Sequence, residues 1–234
     1  DRDALLVRMT DNVAELVLED NRLQALALSI AEKGGSAAVP SLVRIMETFE
    51  AAGRLDRKVE GLAANDELLR RSAEGRGLTR PELAVLLSTA KLALQDAIEH
   101  SDLPDDPALA SDLAAAFPDE MQRDFAAAIA DHQLRREIIA TKIANRIVNR
   151  MGLVHPFELV EEEGCALGDV AAAFVAVERL LDLPTIWTAL DTAKIDESIR
   201  LSLFTQAASA MTSQMADLLR VTQTLSRPGP VIAR

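Results

Sequence analysis

Residues 133–151 read Gln-Leu-Arg-Arg-Glu-Ile-Ile-Ala-Thr-Lys-Ile-Ala-Asn-Arg-Ile-Val-Asn-Arg-Met. Leu134, Ile138, Ile139, Ile143, Ile147, Val148 and Met151 recur at three- and four-residue steps, which puts them on one broad face of a helix. Gly152 follows directly, as expected of the residue just past a helix end. The polar side is as ordered as the apolar one, because Lys142, Arg146 and Arg150 fall four apart and so share a face. A sheet cannot use this pattern, since alternate residues of a strand point to opposite sides.

The rest of the chain agrees with that reading. Its 234 residues hold 39 Ala and 34 Leu against 15 Val and 12 Ile, with 6 Phe, 1 Trp and no Tyr. This mix favours helices over pleated surfaces, and the expected fold is all-α: a multi-helix bundle of roughly eight to ten helices with short connections. Hydrophobic residues make up 49% and charged residues 26%, which suits a folded domain and excludes wholesale disorder. Net charge is −12, so a wholly basic nucleic-acid binder is excluded as well.

Outward from the central stretch the helices can be placed by their stripes and stops. Met9, Val13, Leu16, Val17, Leu23, Ala27 and Leu28 mark a first amphipathic helix, with a break expected near Asp20-Asn21. A second is expected from Pro40 or Ser41 to Gly53, and a third over residues 65–73. Gly75-Arg76-Gly77 is the clearest internal boundary, and Thr79-Arg80-Pro81-Glu82 after it has the form of a capping box. A long helix through Leu83, Leu86, Leu87, Ala90, Leu94 and Ile98 is expected to stop before Pro104. Further helices are expected over 106–117, from Pro118, over 155–163, 169–182, 184–190 and 198–225, and Arg227-Pro228-Gly229-Pro230 cannot continue the last one. No fixed-period repeat is present, which disfavours a solenoid.

Chemistry is harder to find. His100, His132, His155 and Cys165 have no metal-ligand spacing, and nothing basic flanks Cys165 to lower its pKa. Gly75-x-Gly77 has Arg80 where a dinucleotide fingerprint needs a third glycine, and no phosphate-binding Gly-rich loop occurs. Glu161-Glu162-Glu163 reads as a solvated charge run. No catalytic, cofactor-binding or metal-ligating residue is assigned.

One segment departs from the average. Between His132 and Met151 five basic residues face a single Glu137, a local charge of +4, so the remainder carries −16. Arg135, Arg136, Lys142, Asn145, Arg146, Asn149 and Arg150 therefore form a candidate docking face for an acidic surface. The alternative is intramolecular pairing with the acidic helices of the same domain. Nucleic acid is not an expected partner, because no aromatic platform accompanies the basic residues.

A lone cysteine and the absence of a signal-like segment point to a reducing cytoplasm, and no apolar run is long enough to span a membrane. The chain opens on Asp1 and enters a helical pattern at once, so it is expected to be a piece of a longer polypeptide.

Specific strings carry a resemblance. Met9-Thr10-Asp11-Asn12-Val13-Ala14-Glu15-Leu16-Val17-Leu18 runs into Asp20-Asn21-x-x-Gln24 and Ala27-Leu28-Ser29. Leu78-Thr79-Arg80-Pro81-Glu82-Leu83-Ala84-Val85-Leu86-Leu87 comes next, then Leu134-Arg135-Arg136-Glu137-Ile138-Ile139-Ala140-Thr141 with Asn145 and Val148-Asn149-Arg150. Together they resemble the C-terminal helical region of the large bacterial NAD-specific glutamate dehydrogenases, over about Asp3 to Arg220. The resemblance implies a parent enzyme that oxidatively deaminates L-glutamate to 2-oxoglutarate and ammonia with NAD. Its catalytic lysine and its nucleotide-binding domain would lie upstream, so this segment would hold no cofactor of its own. It further implies residues 1–74 as helices packing on the upstream catalytic core, 75–225 as the helical bundle and 226–234 as a flexible tail. The implied partners are that upstream domain and, in the parent, further copies of the same chain. A free-standing helical protein-interaction module is the alternative, and a small helical enzyme using His155 or Glu161 to Glu163 is a third reading.

Overall fold

The computed structural model describes residues 2–226, and within them every regular element is helical. Nine helices have nine residues or more: α1 (Arg2–Lys33), α2 (Val39–Ala51), α4 (Asn65–Ala73), α5 (Arg80–Glu99), α9 (Arg135–Met151), α10 (His155–Glu163), α11 (Leu167–Leu180), α12 (Leu183–Thr192) and α13 (Glu197–Ser226). Four single-turn pieces complete the set: α3 (Arg57–Glu60), α6 (Ala110–Ala114), α7 (Asp119–Asp124) and α8 (Ala126–Ala130). The proline-bearing tail expected to end the last helix lies outside the described residues. Among those described, no helix is long and apolar enough to cross a membrane.

The centre of the molecule is the pair α5 and α9, which touch more extensively than any other two helices. From α9 come Ile139, Ile143, Ile147, Val148 and Met151, all buried, and from α5 come Leu83, Leu86, Leu87, Leu94 and Ile98. Each such side chain contributes about 2 kcal/mol of transfer free energy. Alanines at 90, 93, 140 and 144 are buried between the larger side chains, so the two backbones can approach closely. Around this pair lie α11 and α13, then α10 and α12, with α2 and α4 beside them. Phe49 of α2 meets Phe157 of α10 edge-on at 5.0 Å, and Trp187 of α12 stacks on Phe204 of α13 at 5.8 Å. The buried apolar residues form one cluster supplied wholly by this chain.

Helix starts follow the sequence chemistry. Glu82 turns back so that its carboxylate accepts the backbone N–H of Thr79 at 2.7 Å and the Thr79 hydroxyl at 2.8 Å. At the boundary before it, Gly77 sits against Gly35, and a Cβ there would lie 2.7 Å from the Gly35 carbonyl. Glycine is therefore required by contact, not by a phosphate. Gly152 ends α9 with φ 86° and ψ 178°, a conformation essentially reserved for glycine.

Two expectations need correction. The first helix is not broken at Asp20-Asn21, because Arg22 bonds back to Glu19 at 2.7 Å and reaches Asp191 of α12, which holds the turn straight. The segment 106–117 is not one helix but a 3₁₀ turn, Pro107–Leu109, followed by the short α6, and Phe125, with φ −128°, separates α7 from α8.

Candidate functional site

The candidate docking face occupies one side of α9, and the structure places most of its cationic groups against this same chain. Arg136 donates from Nε and Nη2 to the Glu99 carbonyl, at 3.2 and 2.7 Å, and from Nη2 to the Ser101 carbonyl at 2.7 Å. These are the orphan carbonyls at the end of α5, which a guanidinium is well suited to take. Its other arm pairs with Asp105. Arg135 donates at the margin of hydrogen-bond length, 3.4 Å, to Pro104.

Farther along the helix the partners are carboxylates. Arg146 pairs with Asp112 of α6 and lies 3.1 Å from Glu178 of α11. Asp112 also accepts from Arg179 at 2.8 Å. Burial raises the pKa of Glu178, and the contact with Arg146 only partly offsets that. Arg150 lies 2.7 Å from Asp191, with its guanidinium plane over Trp187 at 5.4 Å and over Phe204 at 5.5 Å. Burial opposes ionisation of Asp191, but the hydrogen bonds from Arg150 and Arg22 outweigh it and hold its carboxyl below the ordinary 3.8.

Lys142, Asn145 and Asn149 behave differently. Lys142 donates to the Ala115 carbonyl at 2.9 Å, and Asp112 and Asp20 act on its ammonium from farther off. Burial, with the like charge of Arg146 beside it, lowers its pKa. Asn149 is 3% exposed and its Oδ1 has no hydrogen-bond partner. Asn145 is half-buried next to it.

These residues form one wall of a cleft of about 610 Å³ closed by α1, α6, α11 and α12. Leu16 and Leu23 of α1 and Pro184 and Trp187 of α12 supply its apolar walls. Sequence reasoning missed Asp112, Glu178, Asp191 and Trp187, because their neighbours on α9 are 32 to 41 residues away and no local spacing connects them. The acidic surplus of the remaining chain was the available signal.

Elsewhere the titratable groups are dispersed. His132 accepts the Leu134 N–H at 3.1 Å and tilts against Phe117, so it serves the turn that starts α9. His100 is exposed, His155 stands 3.5 Å from Glu158, and burial raises the pKa of Cys165. Glu163 is 2.9 Å from Arg220 and ties α10 to α13. No group of three or more metal-ligating side chains occurs among the described residues.

The chain can be set beside known proteins. Residues 75–234 match the family model described as glutamate dehydrogenase, C-terminal. A NAD-specific glutamate dehydrogenase from Pseudomonas aeruginosa is 42% identical over 183 residues, covering 78% of this chain and 11% of that protein. One of the same name from Halomonas elongata is 35% identical over 226 residues, 97% of this chain and 14% of the relative. Another from Mycobacterium tuberculosis is 33% identical over 208 residues, 88% and 13% of the two chains. The chain thus corresponds to no more than about a seventh of the length of these curated relatives. The matched residues 75–234 take in α5 through α13, and the chain belongs to the glutamate dehydrogenase C-terminal family.

Proposed function

We propose that this chain is a non-catalytic helical domain of a longer NAD-dependent glutamate dehydrogenase, serving interdomain packing, subunit assembly or regulation. In this reading the longer protein oxidises L-glutamate to 2-oxoglutarate and ammonia, holds the NAD, sits in the cytoplasm and forms a homo-oligomer. The observation that carries the reading is the exposed apolar side of α1. Val7, Val13 and Val17 are 61%, 56% and 53% exposed, and Leu6, Leu16 and Leu18 stand beside them. A stripe of this size on water is the signature of a surface made to be covered. The coverage of the relatives supports the same view, since 97% of this chain aligns within 14% of one of them.

The α9 face has a different part in this account. With Arg136, Arg146 and Arg150 engaged inside the domain, its first service is to hold α5, α6, α11 and α12 together. The docking surface is assigned to α1 instead.

The test uses the full-length parent and the 234-residue chain in parallel. Val13→Glu with Val17→Glu is expected to leave the melting temperature of the isolated chain nearly unchanged, because both side chains already face water. In the full-length enzyme it is expected to reduce the assembled mass by light scattering or to lower turnover. Unchanged mass and unchanged turnover would reject the docking role and favour the free-standing interaction module.

A further inference from the structure

The exposed side of α1 carries a pattern that reads the same in both directions. Leu6, Thr10, Val13 and Val17 follow one another at steps of four, three and four, so they form one seam along the helix. All four are exposed, and Val7 and Ala14, also exposed, widen the seam along one edge. The domain holds α1 from the other side, through Arg8 on Glu120, Arg22 on Asp191 and the buried Leu26 and Ala27. A seam that repeats about every 3.5 residues is matched by another helix.

A second copy of the same helix fits it in one direction. Laid antiparallel about a two-fold axis between Asp11 and Asn12, α1 sets its Leu6 against Val17 of the second copy and its Thr10 against Val13, and each contact occurs twice. Val7 meets Ala14 along the edge. Arg8, Asp11, Glu15 and Glu19 fall on the opposite side of the helix and stay out of the contact. Asp3 and Asp20, three residues beyond Leu6 and Val17, end the apolar seam.

The charges choose the same direction. Arg2 and Asp20 lie on one edge of the seam, and neither is ion-paired among the described residues; Asp20 acts on Lys91 and Lys142 only from farther off. In the antiparallel pair Asp20 of the second copy comes level with Asp3, and Arg2, on the same edge as Asp20, answers it. A parallel pair would set Arg2 beside Arg2 and Asp20 beside Asp20, which repels at both ends.

We propose that the exposed side of α1 pairs antiparallel with the α1 of a second copy of this chain. The proposal rests on the reading of α1 as a docking surface and names what covers it. Six side chains from each copy enter the contact, against roughly 20 to 30 a side in a standard interface, so pairing of the isolated chain is weak.

The test uses the 234-residue chain, whose apolar cluster is its own, with Cys165→Ala so that an introduced cysteine stands alone. Thr10→Cys and Val13→Cys are made separately, mixed in equal amounts at about 0.5 mM and mildly oxidised. Disulfides joining position 10 to position 13 are expected to outnumber those joining like positions about fivefold, as read by mass spectrometry of unreduced peptides. Sedimentation of the unmodified chain is expected to show its mass rising from 25.3 kDa with concentration, and Val17→Glu to remove the rise. An equal share or excess of like-position disulfides, cross-linking no greater than that of Glu15→Cys on the opposite side, or a mass constant with concentration would each overturn the proposal. If the cysteines fail to join while Val13→Glu with Val17→Glu still lowers the assembled mass or turnover of the full-length enzyme, another part of that enzyme covers α1. The self-pairing then falls and the docking role stands.

Discussion

Arg150 joins more of the molecule than any other side chain of α9. It bonds Asp191 on α12, covers Trp187 on α12 and Phe204 on α13, and through Asp191 meets Arg22 on α1. Both partners of the pair are 11% exposed, so solvent screens it little. Arg150→Ala is expected to lower stability by about 2 kcal/mol at neutral pH, less than a fully orphaned buried charge because Arg22 remains. The sign with pH follows from Asp191. Its folded pKa is depressed, so its contribution is present above the ordinary 3.8 and is lost as pH falls through the lower folded value. The gap between wild type and variant is therefore expected to narrow on acidification below about 3.8, and chemical denaturation at a series of pH values measures it. A gap constant with pH would remove Asp191 from this account. At this scale the sequence revealed which residues were basic and which side of α9 they shared. It did not reveal their partners, because pairing across 27 to 41 residues is decided by packing.

Helices are where sequence and structure agree best. The capping box at Thr79, the stripe of α5 and the stop at Gly152 are local chemistry, and each reads directly from residue type and spacing. The failures were also local in origin. Asp20-Asn21 are poor helix formers, but the Arg22 contacts with Glu19 and Asp191 override them. Over residues 106–130, Leu109, Leu113, Phe117, Met121, Phe125 and Ile129 recur every four residues without a break, so the apolar pattern does not show where one short helix ends and the next begins. The stripe of α1 was read correctly as amphipathic, yet only Leu26 and Ala27 of that helix are buried. Its first twenty residues thus lack the tertiary support that stabilises most helices. In the isolated chain their amides are expected to exchange with deuterium far sooner than those of α5 and α9, and mass spectrometry of the exchanged peptides checks this. Equal protection along all three would mean that the α1 stripe is covered.

Among the described residues the buried apolar side chains form one cluster, running from Leu26 to Leu219. Although Gly75 to Gly77 divides the sequence, Leu42, Ile45 and Phe49 before it share that cluster with Leu83, Phe157 and Phe174 after it. Scanning calorimetry of the isolated chain is expected to show a single transition with equal calorimetric and van't Hoff enthalpies. Two resolved transitions would mean that residues 1–74 fold apart. The charge imbalance is likewise a property of the whole: a −12 chain builds a +4 helix and wraps it in its own carboxylates. The geometry of α1 has a mechanical side. Arg80 grips its last turns through the Ala25 carbonyl at 3.0 Å, Ser29 at 3.2 Å and Glu32 at 3.0 Å, while Arg8 reaches Glu120 at the far end. From that grip the rod extends about 30 Å, at 1.5 Å per residue. With Arg22 tied to Asp191 partway along and Arg8 to Glu120 near the tip, the rod is a strut rather than a free arm, and it sets the angle at which its exposed apolar side meets whatever rests on it.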